Sequence, residues 1–192
     1  NVYPPMSTYL SEIGIDVLSG YRAEHVTPRP DLVVIGNAVS RGNPEAEAVI
    51  SQQIPYMSFP QALGEFLIGS RTSIVIAGTH GKTTTSALAA WVLTSAGLDP
   101  GFFVGGVPVN FASGWRPGGG NHVVLEGDEY DTAFFDKGPK FLHYRPSHVI
   151  LTSVEFDHAD IYRDLDHVKS AFARLIEILP ADAKLVVCSD YA

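Results

Sequence analysis

The stretch Gly78-Thr-His-Gly-Lys-Thr-Thr-Thr85 decides the fold that this sequence predicts. It follows an apolar run, Ile74-Val-Ile-Ala77, which is typical of a short buried strand. Residues 82–96 then show helical spacing, with Ala87, Leu88, Trp91 and Val92 on one face. A glycine loop that ends in Gly-Lys-Thr between a strand and a helix is typical of a phosphate-binding loop. We therefore expect an α/β protein that binds a nucleoside triphosphate.

The residue types in this loop match what phosphate binding requires. Gly78 and Gly81 allow a tight turn that brings backbone N–H groups to phosphate oxygens, and the helix N-terminus adds partial positive charge. Lys82 supplies an ammonium group for the β- and γ-phosphates, and the Thr83 hydroxyl can ligate Mg²⁺. His80 lies inside the loop and is expected to line the site. The expected nucleotide-binding residues are Gly78, Thr79, His80, Gly81, Lys82, Thr83 and Thr84.

The loop differs from the commonest phosphate-binding form. A GxxxxGK spacing would need glycine at position 76, which is Ile76, and only two residues separate Gly78 from Gly81. The alternative interpretation is a Gly-Lys-Thr sequence in an ordinary surface turn. The strand before the loop and the helix after it favour a phosphate loop.

Composition limits the classes of protein to which the chain can belong. A hydrophobic content of 45% over 192 residues predicts a globular fold. The net charge of −8 and the lack of a basic block argue against a nucleic-acid partner. A single cysteine, Cys188, excludes an internal disulfide, and no stretch is apolar and long enough for a bilayer. We expect a cytoplasmic protein with no membrane partner, and the ends of the sequence suggest a piece truncated on both sides.

The order of predicted elements divides the chain into two domains. Up to about residue 70, strands at 31–37 and 54–57 alternate with helices at 43–52 and 60–68, which predicts a partial Rossmann-like N-terminal domain over residues 1–70. From residue 71 to 192 we expect part of a P-loop, mostly parallel-sheet, ATP-binding domain. Its predicted strands cover 74–77, 122–126, 148–154 and 184–188, its helices cover 82–96 and 166–178, and a surface loop covers 113–121.

Acidic residues follow one of the predicted strands of this second domain. The apolar run from residue 122 ends in Glu126, and Asp128 and Glu129 come next. A metal that bridges phosphates needs oxygen ligands at the carboxyl end of a strand beside the loop. Glu126 is therefore the first candidate for a Mg²⁺ ligand, with Asp128 and Glu129 less central. The alternative is a solvated acidic loop.

A second polar cluster follows the next predicted strand. Its sequence is Glu155-Phe-Asp-His-Ala-Asp160. His158 could ligate a second metal or contact the transferred phosphate. The alternative is that Asp157 or Asp160 caps a helix and His158 only packs.

Taken together, these motifs resemble the ATP-dependent Mur ligases of bacterial peptidoglycan synthesis. The resemblance rests on Gly78–Thr85, Glu126-Gly-Asp-Glu-Tyr-Asp131 and Glu155–Asp160. With its histidine, the loop resembles the corresponding loop of the branch that uses UDP-N-acetylmuramate as acceptor. The run Asp128–Lys137 is most similar to a member that adds a tripeptide, and Gly36–Pro44 is similar to the N-terminal domain of that member.

The resemblance implies an activity, its substrates and its site residues. Residues 1–70 would be a remnant of the domain that binds the UDP-sugar, and residues 71–192 the first part of the ATP-binding ligase domain. The catalytic residues would be Lys82, Glu126 and His158, with Thr83 and Glu126 on a first Mg²⁺ and His158 on a second. ATP would activate the lactyl carboxylate of UDP-N-acetylmuramate as an acyl phosphate, and the murein tripeptide L-Ala-γ-D-Glu-meso-diaminopimelate would attack it.

Three alternatives stay open at this point. The first is a ligase of the same branch that adds L-alanine, the second is a P-loop kinase, and the third is a non-catalytic nucleotide-binding module. We expect the 192 residues alone to be inactive, because the resemblance puts the peptide-binding domain and the first UDP-binding loop outside them.

Overall fold

The computed structural model describes residues 6–156 and 162–191. In the N-terminal part, two short parallel strands pair, with Val33 opposite Tyr56 and Ile35 opposite Ser58. The elements here are α1 (Met6–Glu12), a 3₁₀ turn (Ala23–Val26), β1 (Val33–Ile35), α2 (Pro44–Ser51), β2 (Tyr56–Ser58), α3 (Phe59–Ala62) and a π-helical segment (Leu63–Ile68). This α/β alternation agrees with the predicted elements, and the domain division itself stays a prediction.

Local capping explains where these helices begin. The Asn43 side chain accepts hydrogen bonds from the backbone N–H groups of Glu45 and Ala46 at 3.0 and 3.2 Å, and Pro44 occupies the first turn. Ser58 and Gln61 form a reciprocal capping box at the start of α3. The predicted helix over 60–68 thus begins one residue earlier and changes to π-helical geometry after Ala62.

A mostly parallel sheet dominates the rest of the described chain. Its elements are β3 (Thr72–Ala77), α4 (Lys82–Ser95), β4 (Gly101–Phe103), β5 (Trp115–Arg116), β6 (His122–Gly127), β9 (His148–Leu151), α5 (Leu165–Glu177) and β10 (Lys184–Val187). Between β6 and β9 lie an antiparallel hairpin of β7 (Asp131–Ala133) and β8 (Asp136–Pro139) and a 3₁₀ turn (Lys140–His143). A further 3₁₀ turn covers Ser189–Tyr191. Within the described residues, the sheet has the order β10-β9-β3-β6-β4-β5.

The centre of this sheet is covered on both faces. Val75 and Ile76 of β3 are fully buried, and each faces a different core cluster. On one face α5 packs with the 3₁₀ turn, where the Phe141 and Phe172 rings stack at 5.8 Å. Burial on both faces explains why β3 is a continuous apolar run rather than an alternating one. The sheet confirms the predicted α/β class with mostly parallel strands.

Helix α4 packs with small residues rather than with its large apolar ones. Ser86 and Ala90 are its buried residues, whereas Leu88 and Val92 are more than half exposed. The small side chains face the sheet, on the side where Phe102 and Val124 form a core cluster with Ala90. The face identified by spacing is therefore an outer face of the helix.

Two other expectations were wrong in detail. The segment 113–121 contains β5, which pairs antiparallel with β4, a strand that the sequence did not indicate. β5 has two residues and β4 has three, so pairing rather than local periodicity defines them: β4 pairs with β6, and β5 pairs with β4. The strand predicted over 148–154 ends at Leu151, because Thr152 and Ser153 leave the sheet to contact the glycine loop. Among the described residues, no helix has the length and apolarity that crossing a bilayer requires.

Candidate functional site

The sheet brings the glycine loop and the first acidic cluster together at the carboxyl ends of its two central strands. Strands β3 and β6 are parallel neighbours, with Ile76 opposite Glu126 and Ala77 opposite Gly127. The chain therefore leaves β3 into the glycine loop beside the point where it leaves β6 into the acidic segment. The loop ends at Gly81, which has φ of +78°, and α4 begins at the next residue. This arrangement places the N-terminus of α4 at the same carboxyl end of the sheet, as an anion site requires.

Residues that follow β9 hold the loop in place. The Ser153 hydroxyl accepts a hydrogen bond from the His80 backbone N–H at 3.0 Å and shares another with the Thr79 hydroxyl at 3.0 Å. Thr152 donates through Oγ1 to the His80 carbonyl at 2.6 Å, and the Glu155 N–H donates to Thr79 Oγ1 at 3.2 Å. A side chain at Gly78 would collide with Thr152 Oγ1. The loop conformation is thus fixed by contacts with a segment more than 70 residues away in sequence.

The side chain of His80 lies at the outside of this loop. It is 60% exposed, and its Nε2 atom lies 3.6 Å from a carboxylate oxygen of Glu155. Its backbone groups, rather than its imidazole, make the contacts that order the loop. The His80 side chain therefore borders the candidate site without being enclosed by it.

Lys82 folds back over the loop and meets a buried acid. Its Nζ atom donates to the Gly78 carbonyl at 2.7 Å and lies 2.9 and 3.1 Å from the two carboxylate oxygens of Glu129. The Glu129 side chain is only 1% exposed. Sequence reasoning had assigned no partner to Glu129, because burial cannot be read from an acidic run. The adjacent position of β6 and the glycine loop creates the pair.

Thr83 and Glu126 come together on the open side of the same edge. The Thr83 hydroxyl donates to Glu126 Oε1 at 2.8 Å, and the Gly105 backbone N–H donates to Oε2 at 2.7 Å. These are the two side chains that the sequence assigned to the first Mg²⁺. A hydroxyl and a carboxylate are hard oxygen donors of the kind that Mg²⁺ takes, and both lie at a partly solvent-accessible position. The donor chemistry therefore fits the ion.

A cavity of about 260 Å³ opens beside Glu126. It lies between the residues after β1 and the carboxyl edge of the large sheet, so both parts of the chain contribute to it. Phe59 and Phe103 form an apolar wall with ring centroids 5.3 Å apart. Polar groups also line the cavity, including Lys140, whose ammonium pairs with Asp128 at 2.6 Å. The lining residues are Gly36, Asn37, Phe59, Pro60, Phe103, Gly105, Glu126, Asp128, Thr132, Lys140 and Tyr144.

Two buried tyrosines border the acidic segment. Burial raises the pKa of the Tyr144 hydroxyl well above its usual range, and the carboxylates of Asp128 and Glu126 raise it further. Burial, followed by the Glu129 carboxylate, raises the pKa of Tyr162 in the same direction. Tyr162 donates its hydroxyl proton to the backbone carbonyl of Glu129 at 2.7 Å. Both phenols are therefore neutral at physiological pH, and neither was singled out from the sequence.

His158, assigned to a second metal, lies outside the described residues, as do Asp157 and Asp160. Across residues 6–156 and 162–191, no three His, Cys, Asp or Glu side chains group together as a complete metal site. Thr83 and Glu126 thus remain the candidate ligands that the described structure brings together. Ser153 and Glu129 are the contacts that sequence reasoning missed.

Known protein families match both parts of the chain. Residues 76–192 match the model described as Mur ligase middle domain. Residues 1–71 match the model described as Mur ligase family, catalytic domain.

Individual relatives cover almost all of this chain, but the chain covers less than half of theirs. It is 50% identical over 186 residues to the UDP-N-acetylmuramate–L-alanyl-γ-D-glutamyl-meso-2,6-diaminoheptandioate ligase of Escherichia coli K12, covering 97% of this chain and 41% of that protein. It is 39% identical over 183 residues to the UDP-N-acetylmuramate–L-alanine ligase of Neisseria meningitidis serogroup C strain 053442, covering 95% of this chain and 37% of the relative.

A solved structure gives the same picture. The crystal structure of UDP-N-acetylmuramate:L-alanyl-γ-D-glutamyl-meso-diaminopimelate ligase from Neisseria meningitides superimposes with a TM-score of 0.92 at 44% identity. The match covers 98% of this chain and 61% of that one. Fold and sequence therefore lead to the same set of relatives.

Proposed function

Because this chain belongs to the Mur ligase family, we propose that it forms part of an ATP-dependent ligase that joins UDP-N-acetylmuramate to L-alanyl-γ-D-glutamyl-meso-diaminopimelate in peptidoglycan recycling. The main observation behind this proposal is the 2.8 Å hydrogen bond from Thr83 to Glu126, which lies beside the Lys82 ammonium at the carboxyl end of the sheet. It supports a site where a metal–triphosphate complex and an acceptor can be held together.

In this proposal the glycine loop holds the triphosphate. The backbone N–H groups from Gly81 to Thr83 point toward the phosphates at the start of α4, and Lys82 offsets negative charge. Thr83 and Glu126 would hold Mg²⁺, which would supply Lewis-acid stabilisation of negative charge there. His158, from the segment after β9, is proposed as the ligand of a second ion. The positive charges of Lys82 and of the metal ions would reduce the electrostatic repulsion between the acceptor carboxylate and the γ-phosphate.

The chemistry has two steps. The lactyl carboxylate oxygen attacks the γ-phosphorus while the bond to the β-phosphate oxygen breaks, which gives an acyl phosphate and ADP. The free amine of the tripeptide then attacks the acyl carbon, an amide bond forms, and inorganic phosphate and the amine proton leave. The residues described here act in the first step by holding the reacting groups close and in line, an effect worth about 7–11 kcal/mol of barrier in well-oriented systems.

The cavity next to Glu126 is the proposed place of the muramate end of the acceptor. It lies within contact distance of the metal-ligand candidate, has an apolar wall of Phe59 and Phe103, and carries Lys140 and Asn37 for polar groups. Residues 1–70 would then bind the UDP-sugar and residues 71–192 would bind ATP. Such an enzyme would work in the cytoplasm, where ATP is available.

The incoming amine decides between this function and a second candidate. Relatives named as L-alanine ligases reach 39% identity, against 50% for the tripeptide ligase of E. coli, which favours the tripeptide. The test supplies the full-length protein with ATP, Mg²⁺, UDP-N-acetylmuramate and either tripeptide or L-alanine, and measures ADP release and product mass. We expect amide product with tripeptide and far less with L-alanine.

Each other outcome of that test identifies another class of protein. Faster product formation with L-alanine would assign the second candidate. ADP release that yields a phosphorylated acceptor but no amide would indicate a kinase. Nucleotide binding without turnover under any condition would indicate a binding module, and the ligase proposal would be abandoned.

A further inference from the structure

The ion pair between Lys82 and Glu129 has a feature that phosphate binding alone does not require. Glu129 is 2% exposed overall, and its side chain is 1% exposed, whereas the Lys82 side chain is 14% exposed. Both carboxylate oxygens lie within 3.1 Å of the ammonium nitrogen. A lysine whose task is to meet phosphate is thus joined to a buried negative charge.

The hydrogen-bond capacity of Lys82 is largely used within the protein. An ammonium group has three N–H donors. The Gly78 carbonyl at 2.7 Å and the Glu129 carboxylate at 2.9 Å take two of them, and the Thr79 carbonyl lies at 3.3 Å. A triphosphate must therefore share the ammonium with these acceptors or displace one of them.

Displacing Glu129 is the costly choice. A buried carboxylate that loses a cationic partner is strongly destabilised, because little water is available there to solvate its charge. The carboxylate also cannot easily follow the lysine, since its backbone is held. Tyr162 donates to the Glu129 carbonyl at 2.7 Å, and the Lys140 N–H donates to the neighbouring Asp128 carbonyl at 3.0 Å.

We propose that Glu129 is a positioning residue that tethers the Lys82 ammonium during phosphoryl transfer. Lys82 keeps its contact with Glu129 and presents its remaining hydrogen-bonding capacity to the phosphates, which limits where its charge can lie. This inference rests on the proposed ligase function. Because the tether fixes the direction of one charge, it affects the transition state more than the binding of nucleotide, to which the loop N–H groups contribute most contacts.

Because Glu129 is negatively charged, removing its charge is expected to affect nucleotide binding and turnover differently. Its carboxylate lies beside the phosphate loop and repels a nucleotide, so Glu129→Gln should leave ADP affinity unchanged or raise it. At the same time the neutral amide holds Lys82 less firmly, and we expect kcat to fall about tenfold with the KM for ATP changed less than about threefold. A purely structural role would instead weaken nucleotide binding and thermal stability together.

The decisive experiment is a double-mutant cycle in the full-length protein. We measure kcat, the KM for ATP and the ADP dissociation constant for Lys82→Ala, Glu129→Gln and the double variant. If Glu129 acts through Lys82, adding Glu129→Gln to Lys82→Ala leaves kcat within about twofold, because the two effects are not additive. A further tenfold loss of kcat in the double variant, or wild-type kcat in Glu129→Gln, would overturn the proposal.

Two further variants serve as a control for the loss of a carboxylate and as a second test of the tether. Glu65→Gln removes a carboxylate from an exposed ion pair with Arg145, 2.9 Å long, and should change neither kcat nor ADP binding. Tyr162→Phe removes the hydroxyl that holds the Glu129 carbonyl and should lower kcat about threefold with unchanged ADP binding, about half of a tenfold effect in free energy. If Glu129→Gln does not fold, wild-type kcat in Tyr162→Phe counts against the tether.

ADP binding separates this proposal from the proposed function. In the Lys82→Ala background Glu129 is a buried carboxylate without its lysine, so Glu129→Gln should improve ADP affinity several-fold. That result needs no acceptor substrate. Coupling in ADP binding without amide formation would therefore support the pair and refute the ligase, whereas amide formation without coupling would do the reverse.

Discussion

Glu126 lies near the end of β6 and Glu129 lies two residues beyond that strand, yet the two acids have opposite environments. Glu126 is partly exposed, borders the 260 Å³ cavity and accepts from Thr83. Glu129 is buried and pairs with Lys82. Lys82 and Thr83, which are successive in sequence, thus contact two different acids. We call the accessible position of Thr83 and Glu126 the open side, and the buried position of Lys82 and Glu129 the closed side.

The difference indicates a division of labour between similar side chains. An accessible carboxylate can exchange a hydroxyl partner for a hydrated cation at little cost, which suits a metal ligand. A buried carboxylate tends to keep a cationic partner, because water is scarce there and does not replace the attraction lost on separation. The five predictions that follow test this contrast, starting with the largest effect.

Removing the lysine of the closed side should have the largest consequence. Lys82→Ala deletes a charge that is placed before the reaction begins, and we expect ligation to slow by about a hundredfold or more. Steady-state turnover of the full-length protein measures this. Near-normal turnover would refute the phosphate-loop assignment, and Lys137→Ala, which breaks an exposed pair with Asp131, is the control.

On the open side, the expected change is in metal dependence. Glu126→Gln replaces a charged oxygen ligand by a neutral amide, so the Mg²⁺ concentration for half-maximal activity should rise about tenfold or more. Asp128→Asn is the matched variant, since Asp128 pairs with Lys140 and should leave the Mg²⁺ titration in place.

His158→Ala extends the same titration to the second proposed ion. We expect a higher Mg²⁺ requirement for this variant too. Unchanged titrations for both Glu126→Gln and His158→Ala would mean that the two polar clusters are structural.

The contacts that hold the loop should matter for both sides, but less. Ser153→Ala removes the hydroxyl that meets Thr79 and the His80 N–H, each contact being worth about 1 kcal/mol. We expect nucleotide affinity to fall about tenfold with the Mg²⁺ requirement unchanged. Calorimetric titration with ADP measures the affinity, and wild-type affinity would show that the loop keeps its shape without Ser153.

The smallest effect comes from the burial of Tyr144 beside the open side, and it is visible only at alkaline pH. Because the pKa of Tyr144 is raised in the folded protein, the unfolded chain ionises first, near pH 10. Stability from this group is complete below about pH 10 and falls above it, by about 1.4 kcal/mol per pH unit. Urea unfolding of Tyr144→Phe from pH 9 to 11 should show a shallower loss than wild type. Identical slopes would contradict the raised pKa.

The sequence by itself determined the features that depend on neighbouring residues. The glycine loop, the apolar run before it and the start of a helix at Asn43 are local patterns, and backbone geometry leaves few alternatives for them. For the same reason Glu126 could be identified as an acid at a strand end, and the α/β class followed from the order of elements.

Only the tertiary structure decided which of these residues meet. The register of β3 against β6, with Ile76 opposite Glu126, brings segments about 50 residues apart together, and local patterns contain no information about that pairing. The same holds for Ser153 at the loop and for β4 and β5, which exist through pairing alone. Burial is likewise a property of the assembled core, so Glu129 could not be distinguished from a solvated acid until the fold buried it and brought Tyr162 to its backbone carbonyl.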